Sequence, residues 1–163
     1  MSETPVILVV EDNDDHAELI KRCLSTEPLR VIRCRHGDDA LDYLSRSRDG
    51  ARHDPHDPHD PHDPHDTRAS PWPRLIVLDL RMPRRSGFEL LARVKQDERL
   101  RTIPVVVFTS SSAPGDIARA YELHANSYLV KPTEIGALFE LVRSLRVYWT
   151  LHNTALPDPS APA

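Results

Sequence analysis

Three stretches of the chain are apolar without interruption: Val6-Ile7-Leu8-Val9-Val10, Leu75-Ile76-Val77-Leu78 and Val105-Val106-Val107-Phe108. Short β-branched runs of this kind predict strands covered on both faces, as in the middle of a parallel sheet. Val31-Ile32 and Tyr128-Leu129-Val130 are weaker runs and suit edge strands. Between the runs the period changes. Leu19, Ile20, Cys23 and Leu24 share one helical face, as do Phe88, Leu91 and Val94. Ser86-Gly87-Phe88-Glu89 has capping-box spacing, and Pro114 suits a first helical turn. Five strands alternating with five helices predict an α/β fold, a doubly wound parallel sheet with right-handed crossovers.

One segment follows neither period. From His53 to Asp66 the triplet His-Asp-Pro occurs four times and closes with a fifth His-Asp. Proline at every third position excludes a helix and removes the donors a central strand needs. With no apolar residue to offset the entropy of ordering, a disordered insert is expected over about 50–70. Its histidines raise a metal reading, but a repeat-expanded loop is the simpler account. One domain is expected over 1–150, with a Pro-rich C-terminal extension over 151–163.

The chain of 163 residues suffices for one well-buried domain. Its 25 acidic and 21 basic residues leave a net charge of -4, which gives no electrostatic case for nucleic-acid binding. The N-terminus lacks a basic leader, and no apolar run approaches the roughly 20 residues that span a bilayer. A cytoplasmic protein is expected. Cys23 and Cys34 have neither metal nor redox spacing and read as buried thiols in a reducing compartment.

In an open parallel sheet the carboxyl ends of the strands face one crevice. Here the first strand ends in Glu11-Asp12, the third in Asp79, the fourth in Thr109-Ser110 and the fifth in Lys131-Pro132. Any one of these residues could be a helix cap or a surface charge. Two carboxylates about 4 Å apart repel by roughly 4 kcal/mol at an effective dielectric of 20, so three together make a poor structural set. A divalent cation resolves the conflict, and hard oxygen donors favour Mg2+. The chemistry expected is phosphoryl transfer onto a carboxylate, with metal, lysine and hydroxyl taking the phosphoryl oxygens. A carboxylate nucleophile needs no general base.

Val9-Val10-Glu11-Asp12-Asn13, Leu78-Asp79-Leu80-Arg81-Met82-Pro83, Phe108-Thr109-Ser110 and Tyr128-Leu129-Val130-Lys131-Pro132 together resemble the receiver domains of bacterial two-component response regulators. The resemblance runs from Pro5 to about Arg146, apart from the insert. It implies a five-stranded flavodoxin-like sheet in the order 2-1-3-4-5. It implies that Asp79 is the phosphoacceptor, and that Mg2+ is held by Glu11, Asp12, Asp79 and the backbone carbonyl of Arg81. Thr109 and Lys131 would contact phosphoryl oxygens, and Thr109 and Tyr128 would form the switch pair. For Tyr128 the alternative is an edge-strand aromatic with its hydroxyl in water.

Only 32 residues follow Lys131, so the receiver is expected to signal from its own surface, without an output domain. The last helix carries Leu138, Leu141, Val142, Leu145, Tyr148 and Trp149, more apolar surface than one core-facing stripe. A homodimer through this helix and the extension is expected; the alternative is a tail folded back on its own domain. Glu11-Asp12-Asn13 and Tyr148-Trp149-Thr150-Leu151 are similar to single-domain regulators paired with phytochrome histidine kinases. The expected partner is a sensor histidine kinase, with a bacteriophytochrome as the specific candidate. Two other readings stay open: a Mg2+-dependent phosphohydrolase with an aspartyl-phosphate intermediate, and a phosphate-independent binding module. The phosphoacceptor reading makes the chain no enzyme.

Overall fold

The computed structural model describes residues 4–25, 28–48 and 71–156. Its elements follow in sequence order: β1 (Val6–Val10), α1 (Asp14–Leu24), β2 (Arg30–Cys34), α2 (Gly37–Arg48), β3 (Pro73–Leu78), α3 (Gly87–Gln96), β4 (Val105–Thr109), α4 (Pro114–Glu122), β5 (Ser127–Val130) and α5 (Ile135–Val147). A 3-10 turn at Leu100–Thr102 precedes β4, and a π-helical turn at Tyr148–His152 extends α5. All five strands are parallel, in the order β2-β1-β3-β4-β5. The expected fold class and strand order are therefore present. The His-Asp-Pro insert lies outside the described residues.

The burial of each strand follows its place in the sheet. Every residue of β1 and β4 is buried, whereas edge strands β2 and β5 are mostly half-exposed. Alternate side chains supply two cores. Ile7, Val9, Val77 and Phe108 meet α1 and α5 through Ile20, Leu24, Leu138 and Val142. Leu8, Val10, Leu78 and Val107 meet the opposite layer through Ala40, Leu44, Leu91 and Ala120. β3 begins at Pro73, two residues ahead of its apolar run; proline is tolerated at a strand's first position because it need not donate there.

Helix entries are fixed by short polar caps. The Asn13 side chain accepts from His16 N at 2.9 Å, and Ser86 accepts from Glu89 N at 3.4 Å. Pro114 stands in the first turn of α4. Glu134 caps α5 by accepting from Gly136 N and Ala137 N at 2.8 and 2.7 Å, so this helix starts at Ile135. Where the chain re-enters the described residues, the Tyr43 hydroxyl donates to the Pro71 carbonyl at 2.6 Å. Burial pushes that hydroxyl up to about 12.

Packing places the six residues expected at an interface on the last helix. Leu138, Val142 and Leu145 are buried in the chain's own core, with Leu141 and Trp149 packed against it. Trp149 stands four residues beyond Leu145 and continues the same inward stripe. Tyr148 is the one of the six that is exposed, and its ring meets Trp149 edge-to-face at 5.2 Å. The exposed apolar side chains along this element are Ile135, Phe139, Tyr148 and Leu151.

Candidate functional site

Strand geometry aims the acidic residues at one point. Glu11 N donates to the Cys34 carbonyl at 3.1 Å and Asp79 N to the Val10 carbonyl at 3.0 Å, so the ladder runs one residue past the strand ends. Carboxylate oxygens of Glu11, Asp12 and Asp79 consequently lie within 4.8 Å of one another. Glu11 and Asp79 are buried, with Asp12 half-exposed at the rim. Lys131 N bonds the Thr109 carbonyl at 2.7 Å, and its ammonium reaches Glu11 Oε2 at 2.5 Å and Asp79 Oδ2 at 2.9 Å. Four of the expected residues are thus brought together from three strands.

Electrostatics explain what this group can hold. Burial pushes the Glu11 carboxyl above its ordinary range; the adjoining Lys131 ammonium opposes that shift and the Asp79 charge adds to it. One ammonium against three carboxylates leaves an excess of negative charge in a largely enclosed place. An all-oxygen donor set of this kind suits a hard divalent cation. Thr109 sits at the end of β4, fully buried, and its Oγ1 meets no hydrogen-bond partner among the described residues. A buried hydroxyl without a partner is disfavoured unless a ligand oxygen or water completes it.

Further contacts fix the loops. Arg81 N donates to Asp79 Oδ1 at 3.1 Å, and the Arg81 guanidinium reaches Asp116 Oδ2 at 3.2 Å. Ser111 Oγ also donates to Asp116, at 2.5 Å. The Tyr128 ring packs on the core, and its hydroxyl donates to the Ser111 carbonyl at 3.0 Å rather than standing free in water. Gly87 permits the tightest approach: a Cβ there would overlap the Asp79 carbonyl and come within 2.7 Å of Leu80 Cα.

Sequence reasoning missed Arg33. From β2 its guanidinium donates to the carbonyls of Glu11 at 3.0 Å and Asp12 at 3.1 Å, and to Asp14 Oδ1 at 2.7 Å. It clamps the backbone that carries the acidic pair. The hint in the sequence is an arginine set between Ile32 and Cys34 inside the strand.

A parallel α/β sheet with three acidic groups, a lysine and a buried threonine at its carboxyl edge defines a receiver domain, and the chain belongs to the response regulator family. The family model described as response regulator receiver domain matches residues 59–143. The chain is 39% identical to the probable methanogenesis regulatory protein FilR2 of Methanothrix harundinacea (strain 6Ac), over 95% of this chain and 89% of that relative. It is 34% identical to response regulator Rcp1 of Synechocystis sp. (strain ATCC 27184 / PCC 6803 / Kazusa), over 93% and 92% respectively. The Mn2+-bound form of Rcp1 superposes with a TM-score of 0.77, covering 94% of this chain and 99% of that one. The phosphorylated cyanobacterial phytochrome response regulator RcpA gives a TM-score of 0.76 at 32% identity, with the same coverage. Among the described residues no helix is long and apolar enough to cross a membrane.

Proposed function

We propose that Asp79 accepts a phosphoryl group from the phosphohistidine of a sensor histidine kinase, and that the receiver's own surface carries the signal onward. The observation that carries this reading is the Asp79 carboxylate itself. It is buried, shares its acidic group with Glu11 and Asp12, and is gripped by Lys131 at 2.9 Å and Arg81 N at 3.1 Å. A carboxylate oxygen forms the O–P bond as the P–N bond of phosphohistidine breaks, and the imidazole leaves with the bonding pair. Glu11, Asp12, Asp79 and the Arg81 carbonyl would hold Mg2+, which would supply charge neutralisation on the transferring group. Lys131 takes a phosphoryl oxygen, and Thr109 donates its otherwise unpartnered hydroxyl to another.

Thr109 and Tyr128 form the reporting pair. Tyr128 is tied to the loop after Thr109 through the Ser111 carbonyl, so a shift of Thr109 toward a phosphoryl group loads that bond. The protein acts in the cytoplasm, in keeping with its two free thiols, Cys23 and Cys34. The likeness to RcpA supports a phytochrome-type kinase as the donor. We assign self-association to the exposed apolar side chains of the last helix and its extension, Ile135, Phe139, Tyr148 and Leu151, since the inward residues of α5 are used by the core. Leu151→Glu should lower the mass seen by light scattering; an unchanged mass would remove this interface.

Turnover of phosphoesters is not part of this reading. A phosphohydrolase of the aspartyl type needs an acid two residues after its nucleophile, and here Arg81 occupies that place with its guanidinium on Asp116. Incubation with acetyl phosphate and Mg2+ should load one phosphoryl group per chain, and Asp79→Asn should abolish the loading. Equal loading of that variant would sink the assignment.

A further inference from the structure

Lys131 has three ammonium protons and three acceptors. Two are the carboxylates of Glu11 and Asp79; the third is Nδ1 of His16, at 3.2 Å. An ammonium can only donate, so a hydrogen bond across this contact requires an unprotonated Nδ1 and places the ring hydrogen on Nε2. The lysine side chain is 5% exposed, which leaves water little access to replace a lost acceptor. Nothing in the spacing of His16 along the sequence sets it apart.

The contact belongs to a closed circuit. Asn13 N donates to Glu11 Oε1 at 3.1 Å, and the Asn13 side chain accepts from His16 N at 2.9 Å. His16 Nδ1 then meets Lys131, whose ammonium returns to Glu11 Oε2. The cap that starts α1 thereby sets the backbone of the residue that holds the lysine. His16 is no member of the three carboxylates that gather within 4.8 Å; its nearer contact is the ammonium at 3.2 Å, with Glu11 Oε1 farther off at 3.9 Å.

We propose that His16 is a positioning residue for Lys131, holding the ammonium where it meets a phosphoryl oxygen on Asp79. This rests on Asp79 being the phosphoacceptor. Both carboxylates that grip Lys131 are members of the group that would bind a cation, and a cation draws on the same negative charge. His16 Nδ1 is an acceptor outside that carboxylate group and brings no carboxylate charge for a cation to draw on. When one lysine proton turns to the phosphoryl group, His16 and Glu11 still fix the other two.

The test compares the full chain with His16→Leu and His16→Asn, timing phosphorylation by acetyl phosphate and measuring Mg2+ affinity by calorimetry. Loss of the acceptor should slow loading about tenfold in His16→Leu. Asparagine places Oδ1 near the position of Nδ1, so His16→Asn should recover most of the rate. Mg2+ affinity should change less than about threefold in both. Wild-type loading by His16→Leu, failure of asparagine to restore the rate, or a parallel loss of Mg2+ affinity each overturns the proposal. Nitrogen NMR of the wild-type ring gives an answer independent of any variant: protonated Nε2 is expected, and protonated Nδ1 overturns the contact. If the wild-type chain takes no phosphoryl group, the Asp79 reading fails, whereas the ring tautomer still reports on His16 and Lys131.

Discussion

Lys131 Nζ donates to Asp79 Oδ2 at 2.9 Å across 52 residues of sequence, joining the ends of β5 and β3 inside the site. The same ammonium holds Glu11, so one cation restrains two buried carboxylates. Breaking such a pair by removing one partner costs about 3–5 kcal/mol, because charge is left uncompensated. Lys131→Met should therefore lower stability toward urea by an amount of that order in metal-free buffer. Added Mg2+ should restore part of it by binding the released carboxylates. Equal stability of wild type and variant with and without Mg2+ would contradict this account of the charges.

Arg33 offers a second test, because it touches only the backbone and one flanking acid of the site. Residues that orient metal ligands change metal affinity about 10–100-fold when removed. Arg33→Ala should weaken Mg2+ binding by about tenfold while leaving the fold intact, read by calorimetry and circular dichroism. Arg33→Lys should restore little, since one ammonium cannot span the carbonyls of Glu11 and Asp12 and the Asp14 carboxylate together. Wild-type affinity in Arg33→Ala would remove the clamp from the account.

The carboxyl-edge residues were legible because each ends an apolar run: Glu11 and Asp12 after Val10, Asp79 after Leu78, Lys131 after Val130. A period fixes where a strand stops, and parallel strands stop on one side. Arg33 and His16 were not legible, because they reach the site sideways from within an element. Such reach depends on side-chain rotamers and helix placement, which no periodicity encodes. The partial burial of Trp149 was legible in its four-residue step from Leu145, which sets it against the chain's own core. Gly87 was visible as part of a cap, yet its closeness to the Asp79 carbonyl depends on how α3 meets the loop.

That closeness yields a prediction of its own. A methyl group on Gly87 must displace the backbone of Asp79 and Leu80, which is rigid compared with a flexible side-chain end. Overpacking of this type costs about 1–3 kcal/mol. Gly87→Ala should shift the urea midpoint down accordingly and slow loading of Asp79 by moving its loop. An unshifted midpoint would show that the loop yields freely.

Alkaline pH should erode stability in a defined window. Burial pushes both the Cys34 thiol, ordinarily near 9.0, and the Tyr43 hydroxyl, ordinarily near 10.0, up to about 12. For the thiol the nearby Asp39 charge adds to the shift. Between those limits the unfolded chain has released protons that the folded chain retains, so unfolding stability falls as pH rises. The loss should begin above about pH 9 and continue toward 12, while stability below 9 is untouched by these two groups. Tyr43→Phe should flatten the upper part of that slope in denaturation series taken from pH 8 to 11. A slope identical in wild type and variant would show that Tyr43 does not contribute.

The central claim is that the phosphoryl group resides on Asp79, and borohydride trapping reads it directly. Reduction of a phosphorylated aspartate yields homoserine, which peptide mass spectrometry places in the sequence. After loading with acetyl phosphate and Mg2+, homoserine is expected at position 79. Homoserine or a phosphoryl group at another residue, with Asp79 recovered intact, would contradict the account.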